Sequence, residues 1–157
     1  MTSSADLIAA IERVGEQFAA FVETLTDEQF HRRPAPGEWS AAEITGHVSE
    51  APLTFANHAR RAAAEGGGAV GRAPDDPGRL SAVARLAGRG PKEGAQLVRD
   101  GIREACAILR TIPEQGWQAR GQSPRMGDVT MLAFIQNVAV DHLEGHLQQA
   151  KDAAGVG

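Results

Sequence analysis

Four stretches of this 157-residue chain repeat apolar residues at intervals of three and four. That period fits amphipathic helices and not the two-residue alternation of half-buried strands. Leu7, Ile11, Val14, Phe18, Phe21 and Leu25 make the first stripe, on a helix expected over roughly Ser4–Leu25. Ile44, His47, Val48, Ala51, Phe55 and His58 make the second. Ala95, Val98, Ile102, Ala105 and Leu109 make the third, over roughly Pro91–Arg110, with the proline suited to a first turn. Leu132, Ile135, Val138, Ala139, His142, His146 and Gln149 make the fourth, over roughly Asp128–Asp152, with Asp128 as N-cap. Runs of alternating β-branched residues are scarce, so no sheet is expected. The chain reads as one all-α domain over residues 1–157, a four-helix bundle.

The punctuation supports this layout. Thr26-Asp27-Glu28-Gln29-Phe30 reads as a fresh capped turn, and Arg33-Pro34-Ala35-Pro36-Gly37 as a loop. Ser40 with Glu43 three residues on is a capping box that starts the second helix. Trp39 stands just before it, placed to close over the bundle end. Pro52, inside the second stripe, removes one backbone donor and predicts a kink one turn after His47. Gly66-Gly67-Gly68 ends that helix. An irregular connection rich in Gly, Pro and Arg then spans about 66–90, with a turn at Pro74-Asp75-Asp76-Pro77-Gly78 and a short helix over Ser81–Ala87. Residues 111–127 form another connection.

Charge excludes more than it assigns. The net charge of −4 gives no reason to expect a nucleic-acid partner. The balance is uneven, however, with seven bases against three acids in residues 51–92. Such a basic run is usually a solvated face, and here it is also able to attract an anion. Arg60, Arg61, Arg72, Arg79, Arg85 and Arg89 are therefore candidates for pairing with carboxylates. No apolar stretch approaches the roughly 18–20 residues that span a bilayer, and no secretory signal pattern is evident at the N-terminus. Cys106, the single cysteine, permits no intrachain disulfide and reads as a buried inert thiol. These features together predict a soluble cytoplasmic protein. Exposed bundle faces suggest a homodimer.

The histidines carry the chemistry. His142 and His146 lie four apart in Asp141-His142-Leu143-Glu144-Gly145-His146, hence on one helical face. Both extend the inward stripe, where an unpaired polar ring is costly. His47 sits on the inward stripe of another helix. Three imidazoles from two helices are able to hold one metal and leave a position open for water or substrate. The plain alternative is a set of core histidines satisfied by hydrogen bonds. Glu50, three residues after His47, is the candidate catalytic base, or else a salt-bridged glutamate. Asp141 and Glu144 flank the pair but lie off its face. Glu43 is explained by its cap. His58 would stand about 16 Å along the helix from His47, too far for the same ion. His31, beside Arg32 and Arg33, is expected to face solvent, and Trp39 and Trp117 are expected to pack at bundle ends.

The segment Pro34-Ala35-Pro36-Gly37-Glu38-Trp39-Ser40-Ala41-Ala42-Glu43-Ile44-Thr45-Gly46-His47 is similar to the second-helix entry of the DinB/YfiT-like superfamily. Asp141-His142-Leu143-Glu144-Gly145-His146 resembles its fourth-helix signature, and Thr26-Asp27-Glu28-Gln29-Phe30 the turn that precedes its Pro-Gly-Glu-Trp-Ser segment. The resemblance implies a DinB-like four-helix bundle with one divalent metal on a histidine triad. By position the ligands are His47, His142 and His146. Members include metal-dependent hydrolases and transferases that use mycothiol, bacillithiol or glutathione. Residues 60–92 match no part of the family pattern.

From these residues the chain is expected to be a metal-dependent thiol S-transferase or hydrolase acting on a small molecule. Zinc is the first choice for nitrogen ligands, and nickel, iron or cobalt also fit. A low-molecular-weight thiol is the expected cosubstrate. The rival is a non-catalytic, stress-response bundle in which the metal only ties helices together. A third reading is a helical interaction protein without metal.

Overall fold

The computed structural model describes residues 2–156; Met1 and Gly157, the ends of the expected domain, lie outside it. In chain order the helices begin with α1 (Ser4–Val22), α2 (Asp27–His31) and α3 (Ala41–Glu65). Strand β1 (Gly68–Ala69) and helices α4 (Pro77–Ala84) and α5 (Pro91–Leu109) follow. A 3-10 turn (Glu114–Gln118) leads to strands β2 (Arg120–Ser123) and β3 (Gly127–Thr130). The last long helix has three parts: α6 (Met131–Ile135), a π-helical turn (Gln136–Asp141) and α7 (His142–Ala154).

The four long helices surround one apolar core that includes Leu7, Ile11, Phe18, Ile44, Val98, Leu109, Phe134 and Ile135. α5 lies between α1 and α3, and the last helix closes the ring by packing on both α3 and α1. α1 and α3 are thus diagonal, as are α5 and α7. The chain crosses the bundle end after α1, through residues 23–40, and again after α5, through residues 110–130, whereas the 66–90 connection joins the neighbouring α3 and α5.

Local signals set the helix starts. Ser3, Thr26 and Ser40 each accept from the backbone N–H three residues on. The third residue's side chain returns the contact to the cap in all three. For α3 the Glu43 carboxylate accepts from Ser40 N at 2.8 Å. Such reciprocal caps satisfy two donors that a helix start otherwise leaves orphaned. Gly66 ends α3 at φ 74°, a left-handed conformation that glycine adopts without Cβ strain. Pro52 is buried inside α3, which continues through it to Glu65.

The structure corrects the sequence reading at four places. First, there is a sheet. β1 pairs in parallel with β2, and β2 pairs antiparallel with β3, giving the order β1-β2-β3. The strands are two and four residues long and rich in Gly and polar side chains. No apolar alternation of useful length exists for them to display. Second, Asp128 lies in β3, pairing with Gln122, so it is not the N-cap of the last helix. Thr130 fills that role, accepting from Ala133 N. Third, α1 stops at Val22, short of Leu25, and the Thr24 hydroxyl donates to the Phe21 carbonyl at 2.6 Å. Fourth, the short helix in the 66–90 connection starts earlier than expected, because Asp76 caps it and Pro77 fits its first turn.

The small sheet gives the irregular connection a role in the fold. β1 fastens the chain leaving α3 to the hairpin, and Val70 N–H continues the pairing to the Gln122 carbonyl. Residues 71–74 and the hairpin tip at 123–125 are thereby set at the same edge of the bundle.

Candidate metal centre

Two glycine contacts hold the helix that carries His47. A Cβ on Gly46 would stand 2.2 Å from the Ala82 carbonyl oxygen of α4. One on Gly101 of α5 would stand 2.2 Å from the Ser49 carbonyl oxygen of α3. Only hydrogen fits at either place, so neighbouring backbones close on α3 just before and just after His47. His47 itself is 3% exposed, its ring against those of Trp39, His142 and His146.

His142 and His146 come from α7, and the π turn sets their direction. The His142 N–H bonds to the Asn137 carbonyl, five residues back. The turn widens the last helix by one residue immediately before the first histidine. π turns are rare and recur at functional sites.

The three rings converge. Centroids of His47 and His146 are 4.8 Å apart, those of His142 and His146 4.5 Å, and those of His47 and His142 5.9 Å. One nitrogen from each ring lies within 4.8 Å of the other two, an arrangement able to hold one metal ion. All three line a small cleft of about 10 Å³, backed by Val48, Ala51, Pro52, Val138 and Leu143.

Hydrogen bonding and burial leave two of these rings with an unpartnered nitrogen. His146 Nδ1 lies 2.8 Å from Gln149 Oε1, which only accepts, so Nδ1 carries the proton. The unprotonated Nε2 is buried and has no hydrogen-bond partner. His47 Nδ1 is likewise buried without a partner. Desolvation lowers the His47 pKa to about 3, helped by His146, Arg79, His142 and Arg72. It lowers that of His142 to about 4, with contributions from His146, Arg125 and Arg79. His146 is also lowered, chiefly by burial. Neutral imidazoles with buried, unpartnered nitrogens suit a bound cation, because orphaned polar atoms are otherwise costly.

Larger hollows open beside the triad. One of about 560 Å³ is bordered by Trp39, Arg79, His146 and Gln149, with Glu38 and Asp152 at its edge. The other, about 380 Å³, is bordered by His47 and His142, the rings of Phe55 and Phe134, and Arg72, Arg79 and Arg125. Arg79 reaches both. Its guanidinium lies 4.8 Å from the Trp39 ring centre and donates to the Pro74 carbonyl.

The remaining candidates fall elsewhere. Glu50 does not join the histidine group. Its carboxylate accepts from both terminal nitrogens of Arg72, at 2.7 and 2.6 Å, and from the Thr54 hydroxyl. Glu43 caps α3 and pairs with Arg33. Asp141 accepts from Gln136, and Glu144 is exposed. His58 accepts from Gly71 N, away from the triad. His31 is exposed, with its ring at the Arg89 carbonyl. Cys106 is buried, its thiol pushed up to about 11 by desolvation. Trp117 is buried in the core. Among the other arginines, Arg60 bonds Asn57, Arg61 the Ala69 carbonyl, Arg85 the Ser49 hydroxyl and Arg89 Glu93.

Sequence reasoning missed two site residues. Trp39 is more than an end cap, since its ring lies 5.6 Å from that of His47 and stacks at 6.5 Å on that of His146. Its place just ahead of the capping box was a usable signal. Arg125 lies on the hairpin tip, and with the hairpin unread it had no signal.

Two solved structures share this fold. YfiT from Bacillus subtilis, described as a probable metal-dependent hydrolase with an unusual four-helix bundle topology, superposes with a TM-score of 0.77 at 19% identity. The match covers 98% of this chain and 89% of YfiT. A mycothiol-dependent maleylpyruvate isomerase superposes with a TM-score of 0.63 at 15% identity, covering 99% of this chain but 62% of the isomerase. No curated protein matches the sequence. The DinB superfamily model matches residues 10–150, nearly the whole chain, and the chain belongs to that superfamily.

Proposed function

We propose that the protein is a divalent-metal-dependent enzyme acting on a small molecule, with His47, His142 and His146 as the ligands and thiol transfer or hydrolysis as the reaction. One observation carries the reading. Three neutral imidazoles from two helices meet beside two hollows, and two of them keep a buried nitrogen that no described residue satisfies. YfiT and the isomerase, by their descriptions, make metal-dependent hydrolysis and thiol-dependent chemistry the two reactions to test first.

Such an ion, when bound, supplies Lewis acidity that brings the pKa of a thiol or a water toward neutrality. The chain supplies the rest. Gln149 fixes the His146 tautomer and ring direction. Phe55 and Phe134 keep one side of the site dry. Arg79 and Arg125 orient what enters there. Glu50 acts through Arg72, which it holds against the hollow. Zinc is the proposed ion, with nickel, iron and cobalt as alternatives.

The rival, a closed metal site that only ties helices together, needs a fourth ligand. Among the described residues no further His, Cys, Asp or Glu joins the three. A cytoplasmic location completes the proposal, since Cys106 is a free thiol and no helix of the described residues is long and apolar enough to cross a membrane. So does the homodimer, which light scattering reads directly.

The test is turnover by protein reconstituted with each metal. The panel holds esters and amides without thiol, and electrophiles with mycothiol, bacillithiol or glutathione. Turnover that requires both metal and His142 supports the reading. A fully loaded protein that turns over nothing in the panel contradicts it.

A further inference from the structure

The two hollows beside the triad differ in charge. Around the one at Trp39 a single cation, Arg79, faces two acids, Glu38 and Asp152. Around the one at His47 and His142 there are three guanidiniums and no lining carboxylate. Arg72 is neutralised there by Glu50. Neither Arg79 nor Arg125 has a carboxylate within ion-pair distance among the described residues.

The fold places both of these arginines deliberately. Asp76 accepts from the Arg79 N–H, so Arg79 sits in the first turn of α4. The Ser123 hydroxyl accepts from the backbone N–H groups of Arg125 and Met126, which bends the hairpin tip toward the hollow. Both guanidiniums line the same hollow as His47 and His142. A dication on the histidines would add to the same positive field. Phe55, Phe134 and Val138 give the same hollow an apolar part of its lining.

We propose that this hollow takes a small organic acid, its anionic group held by Arg79 and Arg125 and its apolar body lying against Phe55 and Phe134. Guanidinium is the side chain best matched to a carboxylate or a phosphate, and an unpaired one in a cleft is the more available for it. At about 380 Å³ the space is in the usual range for small-molecule sites. The inference rests on the proposed function for its position beside the metal. The anion site itself belongs to the arginines and exists without an ion.

The experiment is calorimetric titration with phenylacetate, phenyl phosphate and the neutral isostere phenylacetamide. It is run on zinc-loaded and on chelated protein, and on the Arg125→Gln and Arg79→Gln variants. The expected result is that at least one of the two acids binds about tenfold or more tightly than the amide. Arg125→Gln, at an exposed hairpin tip, should remove most of that preference while leaving zinc content and circular dichroism unchanged. The preference should persist in chelated protein, where no ion is available to take the carboxylate. Whichever acid binds better identifies the headgroup. Equal binding of acid and amide, an acid preference untouched by both arginine variants, or no saturable binding at millimolar concentration overturns the inference. Failure to take up zinc instead contradicts the proposed metal site, and the chelated titrations still decide the anion site.

Discussion

Replacing Glu50 with alanine should destabilise the protein by about 2–3 kcal/mol. Glu50 pairs with Arg72 through two parallel N–H···O contacts of 2.7 and 2.6 Å. The Arg72 side chain is 8% exposed and that of Glu50 23%. Arg72 also lies 5.4 Å from the Phe55 ring centre, and its Nε has no partner. Removing one member of a buried pair costs about 3–5 kcal/mol, because a charge is left desolvated and alone. Here water reaches the carboxylate, and Asp76 remains 3.6 Å from Arg72, so the cost falls at or just below the lower end of that range. In urea unfolding, with a slope of roughly 1–3 kcal/mol per molar, the midpoint should fall by about 1–2 M. The double variant Glu50→Ala, Arg72→Met should recover much of the loss, since the stranded cation is gone. If Glu50→Ala moves the midpoint by no more than an exposed pair would, below about 1 kcal/mol, the buried-pair argument is wrong. Turnover abolished at full stability would return Glu50 to the role of base.

Other perturbations reach the site from different sides. Gly46→Ala would push a methyl into the Ala82 carbonyl, 2.2 Å away, and force α4 off α3. Overpacking of this kind costs about 1–3 kcal/mol, which differential scanning calorimetry should read as a Tm lower by several degrees. Gln149→Ala frees the His146 Nδ1 proton from its acceptor, and zinc affinity measured against a competing chelator should drop roughly 10–100-fold with the fold intact. In the metal-free protein, His47 and His142 titrate near 3 and 4 when folded, because burial disfavours their charged forms. In the unfolded chain they titrate near 6.5. Above that pH they contribute no dependence. As pH falls from about 6.5 toward 4 the unfolded chain takes up protons that the native state refuses, and stability should decline by up to about 1.4 kcal/mol per histidine per pH unit. A flat urea midpoint across that window would mean that the rings are not desolvated as described.

The helices were legible because each burial stripe spans many turns and because α1, α2 and α3 start on reciprocal caps, although α5 starts at Gly90 without a side-chain cap. The histidine convergence was legible for the same reason, as His47, His142 and His146 all continue an inward stripe. What stayed hidden is what the periodicity averages over. A π turn adds one residue to a helix whose stripe still reads at 3.6, so the register of Gln136–Asp141 left no mark. The strands are too short to alternate; β1 pairs with β2 about fifty positions away, as Gly68 with Gly121, and β2 pairs with β3 across a tight hairpin, as Ser123 with Gly127. Arg125 became a site residue only through that pairing. Trp39 and Arg79 meet across forty residues of sequence, and neither spacing nor composition links them.

The most direct measurement is metal content by elemental analysis. The untagged protein is compared with its His142→Ala variant, each purified without added metal and again after reconstitution. The account predicts close to one divalent ion per chain in the parent and a large loss in the variant, with helical content by circular dichroism retained. No metal in the parent, and none taken up on reconstitution, would contradict the histidine centre and leave the three rings as buried core residues of a helical bundle.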